Sequence, residues 1–144
     1  MELSTAFDYV NQLVQQVIEN RFRFEPYWLA DPVDVSLQGQ TYNVSWRAYT
    51  PIGEMHRNDL LLVVHEHVRD VVVGCVNRFF ERDGSMIVDM SCFQPERPRV
   101  WTRWVTDTPE RCMIDILSVK SMVKWARRDA KVIGVLLPST LKLP

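Results

Sequence analysis

LLVVHEHVRDVVV, residues 61–73, is the stretch on which the reading of the fold turns. Two histidines flank a glutamate inside a run of leucine and valine, and an aspartate follows three residues later. As a helix, Leu60, Leu61, Val64, Val68 and Val71 make one apolar stripe at 3.6-residue spacing. Asn58 and Asp59 supply a capping residue and an acidic first turn. As a strand, the same residues put leucines and charges on both faces, a poor half-buried pattern. A helix ending near Arg69 and Asp70 is therefore expected. Residues 71–80, rich in β-branched and aromatic types, read as a strand, and Asp83 with Gly84 marks a hairpin turn into SMIVDMSC. A rival reading runs one helix through residues 58–82, with Gly84 just past its end.

The same choice governs the histidines. Side chains at i and i+2 share a face on a strand, whereas on a helix they point roughly 200° apart and cannot hold one ion. The expected helix thus removes His65 and His67 as joint metal ligands. The patterns of cupins and metallo-β-lactamases are both missed: Val71 and Val72 stand where a cupin needs its glutamate, and Arg69 where the lactamase pattern needs Asp. A metal-dependent enzyme using His65 and His67, with His56 as a third ligand, stays as an alternative. No metal and no cofactor are expected.

Upstream, Thr5 and Asp8 resemble a capping box. After them Ala6, Phe7, Val10, Leu13, Val14, Val17 and Ile18 recur at helical spacing, the clearest helix of the chain. A connector with Pro26, Pro32 and four aromatics follows. In residues 33–49, Gly39 marks a hairpin turn, and Tyr42, Val44, Trp46 and Ala48 alternate with polar residues as a half-buried strand that Pro51 and Gly53 end. Downstream, residues 99–105 read as a strand. Thr108, Pro109 and Glu110 form a helix start, and that helix should run to about Arg128 with Lys124, Arg127 and Arg128 near its C-terminus. VIGVLLP closes the chain as a short buried strand.

The expected fold is thus a single α+β domain over residues 1–144, a largely antiparallel sheet of about five to six short strands with two or three helices packed on it. Composition agrees with a globular chain: 47% hydrophobic and 24% charged residues exclude disorder. No apolar run is long enough for a spanning helix, so no membrane partner is expected. Glu2, Asp8 and Glu19, with no early Lys or Arg, do not read as a secretory signal. Cys75, Cys92 and Cys112 are odd in number and lack CxxC spacing, which fits reduced thiols and a cytoplasmic location.

Phosphate-cradling glycine loops and the GxSxG elbow are absent from the sequence, and no catalytic residue is singled out. Net charge is −1, but residues 1–34 carry six acids and two bases, whereas residues 97–131 carry nine bases and four acids. RPRVWTRW, residues 97–104, alternates guanidinium and indole. On a strand this would suit base stacking with phosphate neutralisation, and it would equally suit a protein interface. A nucleic-acid surface would draw on Arg99, Arg103, Lys120, Lys124, Arg127, Arg128 and Lys131. On the expected helix over 109–128, Cys112, Ile116, Val119, Val123 and Ala126 form the core stripe, while Ile114 and Trp125 fall on the wet side, as if another chain covered them.

These features favour a non-catalytic assembly or adaptor subunit acting through protein–protein contacts, in a homo-oligomer or larger complex. Its interface candidates are Trp125, Ile114, Phe22, Phe24, Tyr27, Trp28 and Trp101. The size and mix of elements are similar to those of small adaptor and tail-completion proteins of phage particles, a likeness of fold alone that would make the chain a virion component. The nucleic-acid reading is the alternative.

Overall fold

Residues 60–65 form a strand, and both of its faces are buried. In the computed structural model, which describes residues 10–11, 27–65 (the backbone alone at His65), 70–139 and 143, Leu61 and Val63 enter one hydrophobic core. Leu60, Leu62 and Val64 enter a second core on the other side. A strand between two cores has no polar face to show, so it reads as an unbroken apolar run. The expected helix over 58–69 is overturned for this reason, and so is the single helix over 58–82. Asn58, at φ +75°, sits in a turn. Asp59 does not start a helix, since its carboxylate accepts the His56 N–H at 2.8 Å.

Twelve strands are described: β1 (Trp28–Leu29), β2 (Val33–Leu37), β3 (Gln40–Ser45), β4 (Arg47–Thr50), β5 (Gly53–His56), β6 (Leu60–His65), β7 (Asp70–Arg82), β8 (Ser85–Pro95), β9 (Arg103–Asp115), β10 (Val119–Met122), β11 (Lys124–Arg127) and β12 (Val132–Leu136). Ile116–Ser118 is a 3₁₀ turn, capped by Asp115, whose carboxylate accepts the Leu117 N–H at 2.9 Å. The fold is therefore nearly all β, a correction to the expected α+β arrangement with two or three helices. Of the N-terminal helix, only Val10 and Asn11 are described, and both are helical. Thr5, Asp8 and the rest of that stripe lie outside the described residues.

The helix over 109–128 is replaced by β9, the 3₁₀ turn, β10 and β11. Cys112 and Ile116 fit a helical and an alternating pattern equally, but Ile114 fits only alternation. Ile114 is 5% exposed and packs in the first core beside Ile116. Pro109 is tolerated because β9 slips register there: Cys92 pairs with Glu110 but Gln94 with Val105, which leaves residues 106–109 as a bulge. Residues 96–102 form a loop, so the strand expected from Arg99 begins only at Arg103.

The main sheet runs β10-β6-β7-β8-β9-β12-β11. Its two end members are consecutive in the chain, separated by Val123 alone, whose N–H donates to the Leu60 carbonyl at 3.0 Å. Residues 119–127 thus pair with β6 by their first half and with β12 by their second, and the sheet closes into a small barrel. The second core fills it, with Trp104 fully buried among Leu62, Val73, Val123, Ile133 and Val135. Trp104 Nε1 donates to the Trp101 carbonyl at 2.8 Å, which satisfies the one polar atom of a buried indole.

Beyond the barrel, β7, β8 and β9 continue together. Past Val76 the ladder between β7 and β8 slips by one residue at Asn77, and β3 replaces β6 as the neighbour of β7. β2 pairs with β3 across Gln38 and Gly39, both at positive φ, and the β7–β8 turn at Asp83 and Gly84 repeats that geometry, as the sequence indicated. The single strand read through Tyr42 and Ala48 breaks in two at Trp46. The Ser45 hydroxyl, buried, bridges the Ala30 and Arg47 backbones at this bend. β4 then joins β1 and β5 in a small sheet that packs Leu29, Ala48 and Met55 onto the first core.

Candidate functional site

Directly opposed residues of antiparallel strands share a face, so register alone defines what lies across the sheet from the first core. Arg78, Asp89 and Met113 are aligned in one such row, with Phe80 and Ile87 in the next, Val44 beside Phe80, and Val35 beside Tyr42. On this face Val33 is 44% exposed, and Leu37 and Met113 are 55% exposed. Between the β2–β3 hairpin and β7–β9 it is hollowed into a groove of about 350 Å³. Tyr42, Phe80, Val35, Leu37 and Met113 give it apolar walls, and Arg78, Arg82 and Asp89 give it charge. Tyr42 and Phe80 meet edge to face with centroids 6.1 Å apart.

Asp89 anchors the floor. Among the described residues it is the one fully buried charged side chain. Arg78 Nε donates to Oδ2 at 2.9 Å and Arg111 Nε to Oδ1 at 2.9 Å, while Arg111 Nη2 closes a bidentate fork on Oδ2. Asn77, the bulged residue of β7, adds a long 3.4 Å contact from Nδ2 and also bonds Ser91. Burial pushes the Asp89 carboxyl up, but the hydrogen bonds from Arg111, Arg78 and Asn77 outweigh it and hold the pKa below the ordinary aspartate value. Asp89 is thus a saturated anion, engaged by donors on the two strands that flank β8, and is no general base. The Arg78 and Arg111 side chains remain 41% and 56% exposed. Two arginines against one aspartate, with Arg82 beyond, leave the groove cationic.

A second hollow, about 390 Å³, lies where β7 begins, between residues 92–95 of β8 and the 96–102 loop. Arg99, at φ +62°, and Trp101 line it together with Asp70, Glu110, Cys92 and Cys112. Trp101 stacks on Trp104 with centroids 6.3 Å apart. Burial and the neighbouring Cys112 thiol push the Cys92 thiol far up, and burial raises Cys75 also. Neither is a ready nucleophile at neutral pH, since the thiolate is the reactive form.

The basic residues proposed for nucleic acid do not all share one face. Arg103 aligns with Gly134, Gly134 with Ala126, and Lys124 lies two residues from Ala126, so Arg103 and Lys124 share the outer face of this ladder. Arg128 lies there too, since a Cβ on Gly134 would stand 2.8 Å from its Nε. Arg127 falls on the opposite face, near the Trp125 ring. Arg99 is in the loop, Lys120 on β10, and Lys131 pairs with Asp107 at 3.8 Å. Arg103 is held by Glu96 at 2.8 Å. The expected alternation of Arg99, Trp101 and Arg103 on one strand face does not form.

Of the interface candidates, Trp125 and Trp28 are 48% and 56% exposed. Trp28 packs against Tyr49, Tyr27 is half-buried against the first core, and Trp101 is half-buried. Ile114 is buried in the first core. Phe22 and Phe24 lie outside the described residues. So do His67 and the His65 side chain; the strand through His65 removes the helical argument that separated the two histidines. His56 contacts Glu54 at 3.1 Å and Asp59 at 3.7 Å. Among the described residues, no three His, Cys, Asp or Glu side chains converge as a metal site would need.

In the sequence Asp89 shows only as an aspartate set among the apolar residues of MIVDM, and strand pairing alone brings Arg78 and Arg111 to it. Compared with family models, curated proteins and solved structures, the chain matches none.

Proposed function

We propose that the protein is a non-catalytic assembly subunit, acting through protein–protein contacts made by the face of β2, β3, β7, β8 and β9 that no described residue covers. The observation that carries this reading is the exposure of Val33, Leu37 and Met113 around the groove, whose floor strands β7, β8 and β9 have their reverse side packed. Apolar groups clustered on one sheet face are costly in water and are stabilised when a partner removes them from it. The arginines fit an interface as well, since Arg with aromatic neighbours carries much of the energy of such contacts.

Size-exclusion with light scattering, at high and low protein concentration, tests the reading. A defined oligomer that dissociates on dilution is the expected result. A monomeric mass at every concentration overturns self-assembly.

A further inference from the structure

The cationic, apolar groove has a counterpart in the chain's own N-terminal sequence. Residues 1–19 contain Glu2, Asp8 and Glu19 and no Lys or Arg, and their apolar residues Phe7, Val10, Leu13, Val14 and Val17 recur at helical spacing. The groove offers the complement, with Arg78 and Arg82 beside Tyr42, Phe80 and Leu37. Val10, the described member of that stripe, is helical and 51% exposed, so its own chain leaves it half uncovered. The point of entry matters too. Tyr27, where the chain joins the β-structure, packs against the first core, across the sheet from the groove. To reach the groove of its own copy the segment would have to turn round an edge of the sheet, whereas a neighbouring copy can present its groove directly.

We propose that residues 1–19 of a second copy seat in this groove, so that two copies exchange their N-terminal segments. The inference rests on the assembly reading and names its partner. Apolar burial against Leu37, Tyr42 and Phe80 supplies the attraction, and the Arg78 and Arg82 charges select an acidic segment over a basic one.

The test uses the chain of residues 1–144 and two folded variants, checked by circular dichroism. Val10→Asp/Val14→Asp alters the segment, and Leu37→Asp/Arg82→Glu alters exposed positions of the groove. Each variant alone should weaken self-association by about tenfold or more, as expected when one side of a complementary contact is spoiled. An equimolar mixture should regain association, because the intact segment of one variant meets the intact groove of the other. If both variants keep the parent mass, the exchange is wrong but self-assembly through another surface stands. If both dissociate and the mixture does not recover, segment and groove do not meet between copies. If the parent chain is itself monomeric at all concentrations, the assembly reading falls first and the exchange with it.

Discussion

At one end of β7, β8 and β9 the sheet is covered on both faces, and at the other on only one. In the barrel half, Val71 and Val73 point inward to Trp104 while Val72 and Cys92 face the first core. In the open half, Phe79, Met86 and Val88 still face the first core, but their neighbours Arg78, Phe80 and Ile87 line a face that nothing in the described chain covers. The sequence follows the coverage. DVVVGCV is apolar almost without interruption after its first residue, whereas NRFFER carries three charges and SMIVDMS admits Asp89 between two serines. One strand therefore carries two patterns, because what a residue must be is set by what lies against it and not by its backbone conformation.

If this contrast is right, the closed half should be the more costly to disturb. Trp104→Ala, which empties the centre of the barrel, should lower stability by about 3–5 kcal/mol in urea unfolding. A loss below about 1 kcal/mol would mean that the barrel interior is not tightly packed. Gly74 lies where β7 approaches β8 closely: a Cβ there would stand 2.8 Å from the Ser91 carbonyl oxygen and 2.8 Å from Met90 Cε. Gly74→Ala should cost about 1–3 kcal/mol, since backbone on one side cannot yield as a side chain can.

In the open half the largest effect should come from Asp89. Asp89→Asn removes a charge that two arginines share and should cost about 1–2 kcal/mol at neutral pH, water being able to reach the freed guanidiniums. Its pH dependence has a definite sign. The folded-state pKa lies below that of the unfolded chain, so the contribution is complete above about pH 3.9 and is lost as pH falls through the lower, folded-state value. Urea titrations from neutral to acid pH should show the parent chain losing stability more steeply than Asp89→Asn in that acid range. Equal slopes would remove Asp89 from the account. The smallest effect on folding belongs to Met113→Ser on the exposed face. It should change stability by less than about 0.5 kcal/mol while weakening self-association measured by light scattering.

The legible part of this molecule was local. Both hairpin turns, at Gly39 and at Asp83 with Gly84, were readable because positive φ at consecutive positions restricts the residue choice. The last strand was readable as a short apolar run with turn signals before it. The two misread segments share a cause. LLLVV and the stripe from Cys112 to Val123 each satisfy helical spacing because several of their apolar residues satisfy both periods. Ile114 and Trp125 both fall off the second stripe, and of the two Ile114, buried in the first core, is the sign of alternation. The groove was less visible still. It is assembled from five strands spread over residues 33–113, and no spacing in the sequence relates Tyr42 to Asp89 or to Met113.

The sequence by itself determined where the chain must turn, which segments are apolar enough to be buried, and the uneven distribution of charge along it. These follow from steric limits on φ and from the transfer free energy of side chains, which are properties of single residues. The tertiary structure alone decided that residues 60–65 and 103–115 are strands, that the main sheet closes on itself through Val123, and that Asp89 lies beneath two arginines. An apolar run can be satisfied as a helix or as a strand, and the second is stable here because neighbouring strands take up its backbone hydrogen bonds while two cores cover its faces.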